Sequence, residues 1–178
     1  MPSRGIRDLR EPGPAKPVCG LLYSDFSKAE LAISMLEAIL GPLDLTSFVF
    51  PFDVTDYYNQ ETGEDIKRLF VSFSRPVPQD SLADIKIRCR DVELEFAENG
   101  QRAVNIDPGM VTAERLVLAT SKNFTHRIYI GRGVHADLSL IYQGKSFQPL
   151  PWTFADYRKQ EVIEFWNVVR SLFMETRG

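Results

Sequence analysis

The order of apolar patterns between residues 17 and 107 limits the fold of this chain more than any other feature of its sequence. Apolar residues at every second position are typical of strands, and apolar residues at every third or fourth position are typical of helices. These patterns predict strands over residues 18–24, 48–52, 69–73 and 104–106, and helices over residues 26–40 and 82–96. The order strand, helix, strand, strand, helix, strand is the βαββαβ order of the ferredoxin-like fold.

The first predicted helix has signals for both of its ends. Ser27 and Glu30 have the spacing of a capping box, in which each side chain binds a free backbone N–H of the first turn. Gly41, followed by proline, stops the helix at its far end. The helix is therefore expected to fill the interval between the first two strands.

The first sixteen residues differ in composition from the rest of the chain. They hold many basic residues, prolines and glycines, a mixture that predicts a disordered tail over residues 1–16. Residues 17–178 are expected to form a single α+β domain, in which a β-hairpin over residues 126–142 and a C-terminal helix extend the ferredoxin-like part. Residues 110–119 are interpreted as a short helix capped by Thr112, with a strand as the alternative.

Charge and hydropathy exclude several classes of function. The chain has 178 residues, and 21 Lys and Arg against 24 Asp and Glu give it a formal charge of -3. Duplex-DNA binders are usually strongly basic, so duplex DNA is not an expected partner. No stretch approaches the roughly 18 apolar residues of a membrane span, so no membrane partner and a cytoplasmic location are expected. Cys19 and Cys89 lie in apolar stretches and predict buried, reduced thiols.

The predicted hairpin has a register that its own sequence defines. A three-residue loop, 131–133, places Arg127 opposite Asp137 and Tyr129 opposite His135. The apolar face, expected to pack on the core, then holds Ile128, Ile130, Val134, Ala136, Leu138 and Leu140. The opposite face holds Arg127, Tyr129, His135, Asp137 and Ser139. This polar face is either a wall that faces a ligand or a surface washed by solvent, with one exposed ion pair.

Residues able to do chemistry are concentrated between positions 105 and 132. Asn105 and Asp107 alternate with the apolar residues of the fourth strand and therefore share its other face. Pro108 and Gly109 are predicted to turn the chain directly after them. Such a turn is a common place for a site, and it is equally common as a turn without function.

Cationic side chains follow in the same stretch. Lys122, Arg127 and Arg132 suit an anionic group, phosphate above all, which Asn105 would orient. Asp107 or His126 would then handle a proton or hold a Mg²⁺ ion. The chain has no phosphate-binding loop of the form GxxxxGK[ST], and a solvated basic loop is the alternative interpretation.

Three weaker signals lie elsewhere in the sequence. His135 and Asp137 would point the same way from one strand, but they lack the company of an HxxxH motif or a cysteine pair, and no metal site is predicted. The acidic stretch 53–65 lacks the spacing of a calcium loop and is interpreted as a connection between strands. Trp152 could stack on a ring, and it is expected instead to pack against the sheet.

Six segments of the chain together resemble a bacterial family filed as domain of unknown function 4416. The segments are GLLYSD, FPFDVTDYY, RLFVSF, VNIDPG, LVLATSKNFTHRIYIGRG and PLPWTFADYR. The resemblance covers residues 18–158 and brings no established activity with it. It implies that the site is built from the matched polar residues Asn105, Asp107, Lys122, His126, Arg127 and Arg132.

Two functions are consistent with the sequence. In the first, a pocket between the fourth strand and the hairpin binds a phosphorylated or nucleotide-like small molecule, and catalysis on it is left open. Its ligand-binding residues are Asn105, Lys122, Arg127, Arg132 and Asp137, and its catalytic candidates are Asp107 and His126. In the second, the chain is a non-catalytic module whose open sheet binds RNA or a protein partner. Its stacking platforms would be Phe48, Phe50, Phe52, Phe70 and Phe73.

Overall fold

The computed structural model describes residues 9–52 and 65–177. Within these residues the elements are β1 (Lys16–Tyr23), α1 (Phe26–Leu40), β2 (Leu43–Thr46), β3 (Phe50–Pro51), β4 (Lys67–Phe73), α2 (Leu82–Glu95), β5 (Val104–Val111), β6 (Arg115–Thr120), β7 (Arg127–Gly131), β8 (Val134–Gln143), β9 (Ser146–Pro149) and α3 (Gln160–Glu175). Short 3-10 helices precede α2 at Gln79–Ser81 and α3 at Ala155–Arg158. The fold class is α+β, as the sequence predicts.

All strands belong to one antiparallel sheet. Its order is β2-β4-β1-β5-β6-β8-β7, with β3 paired to β4 and β9 paired to β8. Strand β1 lies between β4 and β5 and is buried along its whole length. A strand covered on both faces needs apolar residues at consecutive positions, which explains the unbroken apolar run that begins the domain.

Helices cover both faces of the sheet. On the first face, α1 and α2 pack on residues such as Leu21, Val71 and Ile106. On the second face, α3 packs on Phe70 and Leu118, among others. The result is three layers with a core on each side of the sheet. None of the helices in the described part of the chain is long and apolar enough to cross a membrane.

The predicted helix 26–40 is present, but a different residue caps it. The Asp25 carboxylate accepts hydrogen bonds from the Ser27 backbone N–H at 2.9 Å and from the Ser27 hydroxyl at 2.6 Å. Asp25 is thus the N-cap, and the capping box assigned to Ser27 and Glu30 is wrong. The far end is as predicted, since Gly41 has a φ of 98° and its N–H binds the Glu37 carbonyl.

The turn predicted at Pro108 and Gly109 is wrong, and of the two interpretations of residues 110–119 the structure has the strand. Pro108 and Gly109 do not turn the chain, because they lie inside strand β5. Residues 115–120 form strand β6 and not a helix. Thr112 closes the turn between β5 and β6, where its backbone N–H binds the Arg115 carbonyl at 2.9 Å. Its hydroxyl binds the Glu114 carboxylate, so a side chain typical of helix caps here caps a hairpin turn.

Two element boundaries also differ from expectation, and one strand was not predicted. The tail predicted for residues 1–16 ends earlier, because Ala15 is fully buried and pairs with Val77, and Lys16 begins β1. Residues 1–8 lie outside the described part of the chain. The strand expected over residues 48–52 is shorter in the structure and spans only Phe50–Pro51. The strand β2, which the sequence did not predict, precedes it in the chain and also pairs with β4.

Candidate functional site

Strands β5 and β6 separate in the middle of the sheet. Their pairing runs from Val111 opposite Leu116 to Gly109 opposite Leu118 and then stops. The next pair would join Pro108 to Ala119, and proline has no N–H to donate to the ladder. The proline therefore ends the ladder, and the two strands diverge beyond it.

Side chains of α2 occupy the edge of β5 that the separation leaves open. The Ile106 N–H donates to Glu93 Oε1 at 2.6 Å, and Lys86 Nζ donates to the Ile106 carbonyl at 3.1 Å. Backbone groups that β6 would have bound are thus satisfied from the helix layer, as buried peptide groups must be. This exchange keeps the split open.

A cavity of about 380 Å³ fills the split. Its size lies within the range of small-molecule sites, roughly 300–1,000 Å³. It is lined by Phe52, Arg68, Lys86, Arg102, Asn105, Asp107, Leu118, Ala119, Thr120, Ser121, Lys122, Arg127, Asp137, Phe154, Ala155, Asp156 and Tyr157. Five of these side chains are cationic and three are carboxylates, so the walls carry a net positive charge that favours an anion.

Arg68, on β4, organises one wall of the cavity. Its Nε donates to Asp156 at 2.8 Å and its Nη1 donates to Asp107 at 3.2 Å. The guanidinium also lies over the rings of Phe52 and Tyr157, at 5.1 and 5.9 Å from their centroids. Two carboxylates and aromatic faces together compensate for the loss of water around a buried charge.

Gly20 makes room for this arrangement. A Cβ at this position of β1 would lie 3.0 Å from both Arg68 Nη1 and the Tyr157 hydroxyl oxygen. The close approach needs a residue without a side chain. Gly20 also pairs with Asp107 on β5, so the arginine, the tyrosine and the aspartate converge above one glycine.

Asp107 is the cavity carboxylate most open to a ligand, with 28% of its side chain exposed. Burial opposes its ionisation, but the charges of Arg68 and Lys86 outweigh this effect and hold its pKa below the ordinary value. Asp107 is therefore ionised at neutral pH. It can accept hydrogen bonds from a ligand, or a proton.

Two buried donors in the cavity wall lack acceptors among the described residues. They are Nδ2 of Asn105, which lies beside the Asp107 carboxylate and helps to lower its pKa without reaching full hydrogen-bond geometry, and the hydroxyl of Tyr157. Burial raises the pKa of Tyr157 well above its ordinary value, so this hydroxyl keeps its proton. Both atoms lie in the buried part of the wall. An unsatisfied buried donor is costly, and two of them beside a cavity favour a ligand that brings acceptors to them.

Asp137, on β8, organises the opposite wall. Its Oδ2 accepts hydrogen bonds from Arg127 Nε at 2.8 Å and from His126 Nε2 at 3.0 Å, and its Oδ1 accepts one from the Ser139 hydroxyl at 3.2 Å. The Arg127 guanidinium also donates to the Lys122 carbonyl at 3.1 Å. These bonds fix Arg127 at the cavity surface, and the bond to Asp137 sets the orientation of its remaining N–H donors.

The hairpin pairs Arg127 with Asp137 and Tyr129 with His135, as predicted. The predicted loop 131–133 is wrong, because Gly131 belongs to β7 and pairs with Val134, and a bulge between Tyr129 and Gly131 preserves the register beyond it.

The burial of the two faces of the hairpin also differs from expectation. The predicted core residue Ile128 is 70% exposed, because β7 lies at the end of the sheet, beyond the part that α1 and α2 cover. Asp137 and Ser139 are buried, so of the two alternatives the surface washed by solvent with an exposed ion pair is wrong for this part of the polar face. Tyr129 on the same face is 60% exposed, and Val134 on the apolar face is buried as predicted.

The segment before α3 accounts for the burial of Asp137 and Ser139. Thr153 donates its hydroxyl to the Ser139 carbonyl, and Trp152 Nε1 donates to the Leu138 carbonyl at 2.7 Å. These bonds hold the segment against the polar face of β8 and shield it from water. One extra residue in β8, opposite the Leu116/Val117 step of β6, also moves Leu140 from the predicted face to the α3 core.

His126 lies behind the cavity wall and does not line it. Its ring stacks on Trp152, with centroids 5.0 Å apart and planes at 15°, and Phe124 meets it edge-on at 5.6 Å. This histidine therefore reaches the cavity through Asp137. Trp152 was expected to pack against the sheet. In the structure it stacks on His126 and donates a hydrogen bond to the β8 backbone.

Arg132 is placed apart from the other predicted residues. It lies in the loop of the hairpin, where it forms an exposed ion pair with Asp84 of α2. The structure thus brings Asn105, Asp107, Lys122, Arg127 and Asp137 to one cavity and leaves Arg132 outside it.

Sequence reasoning missed several residues of the cavity. Arg68 follows Lys67 and directly precedes the predicted strand 69–73, a place where a charged residue gives no signal of burial. Lys86 and Arg102 gave no signal either, because basic residues in or near a predicted helix are ordinarily exposed to solvent. The phenylalanines expected as stacking platforms include Phe70 and Phe73, which are fully buried and cannot stack on a base.

Potential metal ligands are scattered in the described part of the chain. Among residues 9–52 and 65–177, no three His, Cys, Asp or Glu side chains come together as potential metal ligands. Most of the acidic stretch 53–65 lies outside the described residues. The sequence interpretation of that stretch as a plain connection stays a prediction.

Glu93 gives the split a measurable pH dependence. Burial raises the pKa of its carboxyl, so the protein binds a proton there more readily when folded than when unfolded. Its contribution to stability is fully present below the unfolded pKa and is lost as pH rises through the folded pKa. Glu93→Gln keeps an acceptor for the Ile106 N–H and removes this loss. We expect the stability of the variant relative to wild type, measured by urea unfolding, to rise as the pH increases above the ordinary glutamate pKa.

The matched control is Glu95→Gln, on the exposed side of the same helix. It should show no such trend. A constant difference between Glu93→Gln and wild type across the pH range would contradict the prediction.

The fold and the cavity define an α+β protein with a cationic, ligand-sized cavity in a split antiparallel sheet. The chain belongs to the family described as domain of unknown function (DUF4416), which matches residues 13–173. No curated protein and no solved structure matches it.

Proposed function

We propose that this protein binds a small phosphorylated or nucleotide-like molecule in the cavity between β5 and β6. The observation that carries the proposal is the split itself, a cavity of about 380 Å³ with two buried donors that lack protein acceptors. A folded protein tolerates unsatisfied donors most readily where a ligand satisfies them.

The positive side chains of the cavity support an anionic ligand. Lys122 and Arg127 come from the β6–β7 side, and Lys86 comes from α2. Lys86 binds a neutral carbonyl and forms no ion pair with a carboxylate of the described residues. Its charge acts at longer range on Asp107 and adds to the positive potential that a phosphate group meets in the cavity.

The apolar part of the wall supports a ligand that also has a ring. Phe52, Phe154 and Tyr157 line the cavity together with the anion-binding side chains. Aromatic faces stack on rings and exclude water from them. A ligand with one anionic end and one compact ring matches both parts.

Asp107 supports chemistry beyond binding. It is an ionised carboxylate inside the cavity, placed to accept a proton from a bound molecule. It would also be the protein ligand of a Mg²⁺ ion that arrives with a phosphate, because Mg²⁺ is often held by one or two carboxylates and the substrate. His126 acts in this proposal by holding Asp137 in place.

We also propose a fold assignment for part of the chain and a cellular location for the protein. We interpret β1 to β5 with α1 and α2 as a ferredoxin-like unit, which the antiparallel order β2-β4-β1-β5 supports. We place the protein in the cytoplasm, which the two free, buried thiols of Cys19 and Cys89 support.

A thermal-shift screen tests the binding proposal. The panel is inorganic phosphate, sugar phosphates and nucleoside monophosphates, each with and without Mg²⁺. A ligand at 100 times its Kd should stabilise the protein by about 2.7 kcal/mol. We expect Lys122→Ala to weaken the best ligand about tenfold, since it removes one charge-assisted contact.

The control is Arg90→Ala, which removes one positive charge from the exposed side of α2, away from the cavity. It should leave ligand affinity unchanged. Absence of a shift with every anion, or equal weakening by both variants, would overturn the proposal.

A further inference from the structure

Three polar groups meet on the β5 side of the cavity, and the phosphate-binding charges do not account for them. They are the Asp107 carboxylate, Nδ2 of Asn105 and the hydroxyl of Tyr157. Asn105 and Asp107 share one face of β5, and the Tyr157 hydroxyl approaches Gly20, the residue paired with Asp107. The three groups therefore form one local cluster.

The cluster combines two donors with one acceptor. Asn105 and Tyr157 are 3% and 1% exposed, and each has a donor without an acceptor in the described residues. Asp107 accepts a hydrogen bond from Arg68, lines the cavity and has a side chain that is 28% exposed. A ligand that satisfies this cluster must accept hydrogen bonds and donate them within a small area.

Neighbouring hydroxyl groups have this property. A hydroxyl has one O–H to donate and two lone pairs to accept, so one can bind Asp107 and a donor at the same time. A phosphate lacks donors when fully ionised, and without a Mg²⁺ ion between them it would be repelled by Asp107. The anion therefore belongs with Lys122 and Arg127, on the other side of the split.

We propose that the ligand is a sugar phosphate, whose hydroxyls are bound by Asn105, Asp107 and Tyr157 and whose phosphate is bound by Lys122 and Arg127. This inference rests on the proposed function and specifies its ligand. The cavity volume supports it, because about 380 Å³ lies near the lower end of the range for small-molecule sites and suits a compact molecule.

Calorimetric titration of the full chain tests the inference. The probes are ribose 5-phosphate, glucose 6-phosphate, adenosine monophosphate, free ribose and inorganic phosphate. A sugar phosphate should bind at least about tenfold more tightly than inorganic phosphate or free ribose, because it alone engages both sides of the split. Adenosine monophosphate as the tightest ligand by the same margin would overturn the assignment to sugar phosphates.

Tyr157→Phe is the decisive variant. It removes only a hydroxyl that has no protein partner, so the fold is retained. We expect affinity for the sugar phosphate to fall about tenfold and affinity for inorganic phosphate to stay unchanged. Asn105→Leu should have the same selective effect, and Tyr142→Phe, outside the cavity, should have none.

The outcomes separate this inference from the proposed function. If no anion binds, both fail. If anions bind and Tyr157→Phe leaves sugar-phosphate affinity unchanged, the hydroxyl cluster has no role in recognition, and only this inference is overturned.

Discussion

Replacement of Arg68 by methionine is expected to lower the free energy of unfolding by about 3–5 kcal/mol, because it leaves a buried carboxylate without its cation. The Asp156 side chain is 3% exposed and its Oδ2 accepts the Arg68 Nε hydrogen at 2.8 Å. Methionine fills much of the same volume, so packing with Phe52 and Tyr157 is largely kept. The loss measured by urea unfolding is therefore mainly electrostatic.

A double variant separates charge from packing. Arg68→Met combined with Asp156→Asn removes both charges, and it should regain a large part of the lost stability. Lys67→Met, at the exposed neighbouring position of β4, is the control and should change stability by less than about 0.5 kcal/mol. Equal stabilities for Arg68→Met and wild type would contradict the account of Arg68 as the organiser of this wall.

The second large effect is expected at Asp137. Asp137→Ala should destabilise the protein by about 3 kcal/mol or more, because it removes the acceptor shared by Arg127, His126 and Ser139. Ligand binding should be lost with it, since Arg127 would no longer be held at the cavity. Urea unfolding and the thermal-shift screen measure the two effects on the same sample.

Ile128→Asp is the matched control on the other face of the hairpin. Ile128 is 70% exposed, so an added carboxylate there stays in water. We expect a change of less than about 0.5 kcal/mol and normal ligand binding. If Ile128→Asp unfolds the protein while Asp137→Ala is tolerated, the burial of the two faces is the reverse of that described.

This contrast shows which part of the hairpin its sequence could predict. The register follows from the alternation of residue types and the glycine loop, both local properties, and Arg127 indeed lies opposite Asp137. Which face is buried depends on what covers it. The covering segment, which contains Trp152 and Thr153, follows the hairpin in the chain and has no pattern that announces its position.

The cavity divides in the same way. Asn105, Asp107, Lys122, Arg127 and Asp137 were predictable because they lie close together in sequence and have the chemistry of an anion site. Arg68, Lys86 and Tyr157 come from three distant elements, and tertiary packing alone brings them there. Asp-Pro-Gly was interpreted as a turn because proline is rare in central strands, yet here proline is used inside one.

Pro108 also sets a trade-off between the continuity of the sheet and the size of the cavity. Each further pair between β5 and β6 would add hydrogen bonds to the centre of the sheet, and each would narrow the cavity. The pairing ends at Pro108, whose backbone nitrogen has no hydrogen to donate. Beyond it, Glu93 and Lys86 bind the backbone groups of Ile106 that a paired strand would otherwise bind. In such an architecture the position of one proline along its strand fixes the length of the gap. The size of the molecule that fits is then governed by the main chain, and side chains in the walls are left to decide its chemistry.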